Sequence, residues 1–280
     1  MAILVLNAGS SSLKTAVFER GRRVLEARVS AIGAAPELTL GAERRPLAKE
    51  IDHAGALSAC LSALRETSAA AIDAVAHRVV HGGDLFDAPQ RLDRAAMARL
   101  ESLNALAPLH NPTALAVIRA AEAALPAAAQ IACFDTAFHA RQPEVARRFA
   151  IPDREATAGL TRYGFHGLSY QSLLERLNPI PPRLLACHLG AGASLCAIRG
   201  GMSVATTMGY SPLDGLTMGT RSGAMDPSAA LELARRVGVD EAETLLTRES
   251  GLLGLSGAPS HVSCARSVRP VHARCAAIAP

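Results

Sequence analysis

One pattern opens both halves of the chain. A strand-like run at residues 3–6 leads into the small polar turn Asn7-Ala8-Gly9-Ser10-Ser11-Ser12, a second alternating run at 13–19, Gly21, and a third run at 24–29. The order returns as a run at 184–189, Gly190-Ala191-Gly192-Ala193-Ser194, a run at 195–198, Gly200-Gly201, and a run at 202–207. Period-two alternation broken by glycine turns predicts strands joined by hairpins. Leu195 follows Leu13 by 182 residues, far beyond the period of a solenoid, so the spacing predicts a duplicated domain. The expected architecture is α/β in two related lobes, residues 1–151 and 152–257, divided at the polar, irregular stretch 151–161.

Helical spacing predicts helices over 54–70, 92–106, 112–124 and 169–177, with Asn111 as an N-cap before Pro112 and Asp226-Pro227 opening another helix to about residue 237. Buried strands are expected at 74–80 and 131–134. Six cysteines form no Cys-x-x-Cys pair and read as reduced core thiols. No run is long and apolar enough to cross a bilayer, and the first residues lack the basic and cleavage features of an export signal. A cytoplasmic location is the resulting expectation. Without Arg266, Arg269 and Arg274, the formal charge of +4 falls to +1. A near-neutral body with no Trp gives no support for nucleic-acid or membrane binding.

Several segments could carry chemistry. Asn7–Lys14 can present backbone N–H groups to an anion, but Lys14 leads into a strand, unlike a Walker A lysine. In the run around HRVVHGG (77–83), Arg78 and Val80 share one face and His77 and Val79 the other. A guanidinium among valines needs a partner or a bound anion, unless the strand is an edge with Arg78 in solvent. A cation beside a small apolar contact suits a short aliphatic carboxylate. His110 stands in a rigid loop at a helix entrance, Asp135 ends an apolar strand, His166 lies between glycines, and Arg221 sits in a glycine-containing loop. His77 and His81 are four apart, but on a strand they do not converge on a metal.

Taken together, NAGSSSLK (7–14), HRVVHGG, PLHNP (108–112), FDTAFH (134–139), YGFHG (163–167), HLGAGAS (188–194) and SPLDGLTMGTRSG (211–223) resemble the acetate/propionate kinase family, in its order and spacing, from residue 3 to about 257. The resemblance implies duplicated actin-like, sugar-kinase-like (ribonuclease H-like) lobes, the second incomplete. It also implies reversible transfer of the ATP γ-phosphate to acetate, giving acetyl phosphate and ADP. It implies that Asn7 helps place Mg²⁺ (or Mn²⁺), and that Lys14, His188, Leu189, Gly190, Ala191 and Gly192 lie along the ATP phosphates. Arg78 would hold the carboxylate and the moving phosphoryl group, Asp135 would be the acidic catalytic residue, and His166 and Arg221 would stabilise the transition state. His110 would be a further active-site histidine. Val80, Leu109, Phe165 and Pro212 would wall a methyl pocket, with Val80 leaning towards acetate over propionate. A homodimer is also implied. A sugar kinase or general actin-like ATPase fits these motifs less well.

Two departures qualify the match. Ala191 stands where the family usually carries Asn. Beyond 257 the family's Asp-x-Arg contact, Gly-Glu-Asn adenosine loop and second metal-positioning Glu are not found. Residues 258–280 contain no Leu, Gly, Asp or Glu. They read as out-of-frame translation of a GC-rich gene or as a naturally divergent, disordered end. The expectation is then an apolar face and a strand edge left uncovered in the second lobe, poor solubility, and little or no turnover. The rival to an active kinase is an inactive chain that at most binds phosphate or nucleotide.

Overall fold

Strands β1 (Ala2–Gly9), β2 (Ser12–Glu19) and β3 (Arg22–Ser30) form the expected meander, with Asn7 opposite Lys14 and Gly9 opposite Ser12. The computed structural model describes residues 1–67, 71–108 and 110–257. Leu109, the end of the helix expected over 54–70, and the segment 258–280 lie outside the described residues. The chain divides into two units, Met1–Ala137 and the residues from Phe138 onward.

In the first unit the meander continues into β4 (Glu37–Leu40) and β5 (Glu43–Pro46), a hairpin that the sequence reading missed. All of β5 is exposed, so it carries no apolar alternation to reveal it. Helix α1 (His53–Thr67) then returns the chain to β6 (Ala74–Val79), which pairs in parallel with β1. After the short β7 (Gln90–Arg91), α2 (Arg94–Glu101) and α3 (Asn111–Ala124), β8 (Ala129–Phe134) adds in parallel to β6. The eight-stranded order is β5-β4-β3-β2-β1-β6-β8-β7. Leu4, Leu6, Leu13, Val17 and Val75 of the sheet bury against Leu57, Leu61 and Leu64 of α1 and Val117 of α3. Because β1, β6 and β8 run parallel, their carboxyl ends lie together, which is where open α/β sheets bind ligands.

The helix expected over 92–106 is broken. The N–H of Leu92 bonds the Gln130 carbonyl at 2.8 Å, continuing the β7–β8 edge. Asp93 then caps α2 by accepting from the N–H of Ala96 at 2.7 Å. Past Glu101 the chain closes a 3₁₀ turn at Asn104–Leu106, and Leu103 and Leu106 pack over Gly83. Gly83 has φ +57°, and a Cβ there would lie 2.8 Å from Leu103, so this turn requires glycine.

The second unit opens with α4 (Glu144–Arg147) and α5 (Gly167–Glu175), then forms the meander β9 (Arg183–Leu189), β10 (Ala193–Arg199) and β11 (Met202–Thr206), ordered β11-β10-β9. Tyr170 and Leu174 of α5 pack on Ala186, Cys196 and Ile198. Helices α6 (Pro227–Val237), α7 (Val239–Thr244) and α8 (Gly251–Ser256) follow. Asp226 caps α6 through the N–H groups of Ser228 and Ala229. Among the described residues β9 has one strand neighbour, and its outward Leu185 and Leu189 are 65% and 71% exposed. Cys187 is exposed too, so it departs from the expected core thiols, whereas Cys60 and Cys196 are buried.

Candidate active site

The first unit gathers its polar groups at the carboxyl ends of the parallel strands. Arg78 lies on β6, between β1 and β8. The alternative of an edge strand with Arg78 in solvent is therefore excluded. Its Nε donates to Asp135 Oδ1 at 3.1 Å, its Nη2 to Asp135 Oδ2 at 2.5 Å, and its Nη1 to Asn7 Oδ1 at 3.0 Å. Burial works to lower the Arg78 pKa, but the adjacent Asp135 carboxylate outweighs it and the net shift is upward. The Asp135 side chain is 3% exposed and that of Arg78 33%, so the guanidinium keeps one side open. Lys14, cross-strand from Asn7, is exposed on the same face. Asn7 and Asp135 supply oxygen donors around Arg78, a set that suits a hard cation. Both already accept from Arg78, so they fit an ion that arrives on a ligand's own oxygens. Among the described residues no group of three or more His, Cys, Asp or Glu is arranged to hold a metal.

Val80 is buried just past β6, and the next residues are clamped from two sides. Asn111 accepts from the His81 N–H at 3.3 Å and donates to the His81 carbonyl at 3.0 Å. The N–H of Gly82 donates to Thr136 Oγ1 at 3.0 Å, and that of Gly83 to His81 Nδ1 at 2.9 Å. Asn111 therefore does not cap α3 as expected. His110 holds the N-cap position without a side-chain cap bond, and the Asn111 amide satisfies a buried loop instead. His53, at the start of α1, donates from Nε2 to the Gly9 carbonyl at 2.7 Å and steadies the β1–β2 turn. Nothing in the sequence linked His53 to that turn.

The second unit builds its group around the β9–β10 turn. There the N–H of Gly190 reaches the Gly192 carbonyl at 3.0 Å, and the N–H of Gly219 reaches the Ala191 carbonyl at 3.3 Å. A Cβ on Gly192 would lie 3.3 Å from both Arg221 Nη1 and His166 Nε2, so glycine lets both side chains close on the turn. His166 takes a left-handed conformation (φ 61°) at the N-cap of α5. Its ring stacks on His188 with centroids 3.9 Å apart, and His188 Nδ1 contacts Ser169 Oγ at 2.9 Å. Leu189 points outward from the end of β9. Arg221 donates to the Pro212 carbonyl at 3.0 Å.

Phe165 is buried, and its carbonyl accepts from His139 Nε2 at 2.9 Å; His139 Nδ1 in turn contacts Ser203 Oγ at 2.8 Å. Arg162 donates to the carbonyls of Thr207 and Met208 and to Asp214, joining the 162–166 loop to the 207–214 loop. Residues 246–253 wrap the Arg221 loop. The N–H groups of Ser222, Ser250, Leu252 and Leu253 bond the carbonyls of Leu246, Thr220, Met218 and Gly219. The sequence reading named His166 and Arg221 but assigned no role to these supports; Ser203 and residues 246–253 lie outside every motif, whereas His139 and Asp214 lie within FDTAFH and SPLDGLTMGTRSG.

The comparisons agree with the motifs. The Acetokinase family profile matches residues 2–274. An acetate kinase of Nitrobacter hamburgensis is 44% identical over 276 aligned residues, covering 91% of this chain and 68% of that relative. A propionate kinase of Francisella tularensis superposes with TM-score 0.89 at 32% identity, covering 96% of this chain and 74% of that one. The acetate kinase of Entamoeba histolytica gives 0.84 at 31% identity, covering 97% and 74%. The chain is thus an actin-like α/β protein and belongs to the acetokinase family.

Proposed function

We propose that the protein transfers the γ-phosphoryl group of ATP reversibly to acetate. The observation that carries this is Arg78, a guanidinium held by Asp135 and Asn7 with one side open, next to buried Val80. A carboxylate is ionised well below neutral pH, so the acceptor needs no strong base. The barrier is the approach of two anions, which positioned cations and N–H donors reduce. Arg78 would bind the acetate carboxylate, with Val80, Leu109, Phe165 and Pro212 against the methyl group. Asp135 would fix Arg78, and His110 would line the acceptor side. His166 and Arg221 would donate to the phosphoryl oxygens. Lys14 and the turn His188–Gly192 would follow the ATP phosphates. Asn7 and Asp135 would be the oxygen donors beside a Mg²⁺ or Mn²⁺ that arrives with ATP, an ion that would supply neutralisation of phosphate charge. A cytoplasmic homodimer belongs to the same reading.

A second reading, binding of phosphate or nucleotide without turnover, is favoured by the exposed Leu185 and Leu189 on β9. Acetate-dependent ADP formation separates the two. A rate on the ordinary enzyme scale of about 1–10³ s⁻¹ supports the kinase, whereas saturable ATP binding with no acetate-dependent turnover overturns it. Substrate choice is tested by Val80→Ala, which should raise propionate relative to acetate in kcat/KM by up to about tenfold. An unchanged ratio would remove Val80 from the pocket.

A further inference from the structure

Within the 163–167 loop, His166 is the non-glycine residue with a left-handed backbone, φ 61°. That conformation is strained for a residue with a Cβ and persists only where the surroundings impose it. We infer that His139 imposes it: by donating from Nε2 to the Phe165 carbonyl, 2.9 Å away, His139 is a positioning residue that fixes the backbone of His166. The inference deepens the proposed role of His166 at the phosphoryl group and rests on that reading for its catalytic meaning.

The Phe165 carbonyl belongs to the same rigid peptide plane as the His166 N–H. That plane turns only about ψ of Phe165 and φ of His166. A bond that holds the carbonyl therefore holds φ of His166. A carbonyl oxygen only accepts, so the hydrogen of this contact is on His139 Nε2, whatever the ring carries on Nδ1.

The ring that does the holding is itself fixed. His139 is completely buried, its Nδ1 contacts Ser203 Oγ at 2.8 Å, and Ser203 Oγ accepts from Gln142 Nε2 at 2.7 Å. Phe138 and Tyr170 meet the imidazole edge-on, with centroids 5.5 and 5.9 Å away. The loop lies directly on the ring. Gly164 has φ +74°, and a Cβ there would stand 2.8 Å from His139 Cδ2. On one side of the peptide the N–H groups of Tyr163 and Gly164 share the Gly209 carbonyl, and on the other those of Ser169 and Tyr170 bond the His166 carbonyl. The Phe165–His166 peptide joins these two anchored stretches. With its backbone so placed, His166 brings Nδ1 to 2.9 Å from Ser194 Oγ and stacks on His188. Completely buried, His139 cannot reach a substrate and acts through His166.

The test compares His139→Gln with His139→Asn in the whole chain. The Gln amide nitrogen reaches the position of Nε2, whereas the Asn amide reaches only that of Nδ1. The φ of His166 is read by NMR from its amide-to-α-proton coupling and backbone shifts, which need no turnover. Native and His139→Gln chains should keep it positive, and His139→Asn should lose it. A positive φ retained in His139→Asn, its loss in both variants, or a native His139 with no hydrogen on Nε2 in its ¹⁵N spectrum overturns the inference. If His139→Asn alone fails to fold, the Nε2 donor is needed to close the loop and the inference stands. If both fail, His139 serves the core at large and the inference falls. In acetate-dependent ADP formation, His139→Asn should lower kcat by about 10²-fold, the scale of a displacement of about 1 Å. KM for acetate should change little, because the carboxylate is held at Arg78, and His139→Gln should recover most of kcat. Native kcat in a variant that has released His166 overturns the positioning role. The expected φ changes in a chain without acetate-dependent turnover would sink the kinase reading and leave the hold of His139 on His166 standing.

Discussion

Arg78→Ala is expected to destabilise the first unit by about 3 kcal/mol, whereas Asp135→Ala should cost only about 1 kcal/mol. Removing one member of a buried ion pair leaves the other charge in low dielectric, at a typical cost of about 3–5 kcal/mol. The two partners differ in where they can go. Asp135 is 3% exposed and has no route to water, but Arg78 is 33% exposed and can turn outward. The cost therefore falls mainly on the variant that strands the carboxylate. The double variant Arg78→Ala/Asp135→Ala should recover most of the loss, since no unpaired charge remains. Urea unfolding of the four proteins gives the coupling directly. Additive losses would mean that the pair is not energetically joined. Activity should behave differently, because the double variant still lacks the cation and should stay roughly 10²–10³ below the native rate. Recovery of stability without recovery of turnover is what separates the role of Arg78 in the fold from its proposed role at the carboxylate.

Acid should weaken the same strand through His77. This histidine is 2% exposed, and its Nε2 lies 2.8 Å from Gln130 Oε1. Burial pushes its pKa down to about 4, against the smaller upward pull of the Gln130 bond. In the unfolded chain the group titrates near 6.5. Below that value the unfolded state binds a proton that the native state refuses until pH falls to about 4. Stability from this group is thus fully present above pH 6.5 and declines by about 1.4 kcal/mol per pH unit down to pH 4, roughly 3 kcal/mol in all. His77→Gln keeps a polar group for Gln130 but cannot titrate. Its stability should fall less steeply than native between pH 6.5 and 4, and equal slopes in the two proteins would exclude His77 as the source. His77 immediately precedes Arg78 on β6, so its protonation would loosen the strand that presents the guanidinium.

The repeated meanders were legible because alternation and glycine turns act over a few residues. The face of Arg78, the cap at Asp226 and the position of Asp135 at the end of β8 were legible for the same reason. The partners of those residues were not. Arg78 and Asp135 are 57 positions apart, and Gly9 and His53 are 44 apart. Each pair meets only because parallel strands and a crossover helix bring distant segments to one end of the sheet. Local rules also gave way where a buried polar group needed a partner. Asn111 had the sequence of an N-cap, yet its amide went to the His81 backbone, since leaving that loop unsatisfied costs more than leaving a helix end to other partners. Leu92 similarly left a helical pattern to bond β8. The sequence by itself thus determined the two repeated meanders, the strands β6 and β8, and the faces their residues take. Tertiary structure decided what each of those side chains is bonded to, because side-chain hydrogen bonds depend on the path of the whole chain rather than on local periodicity.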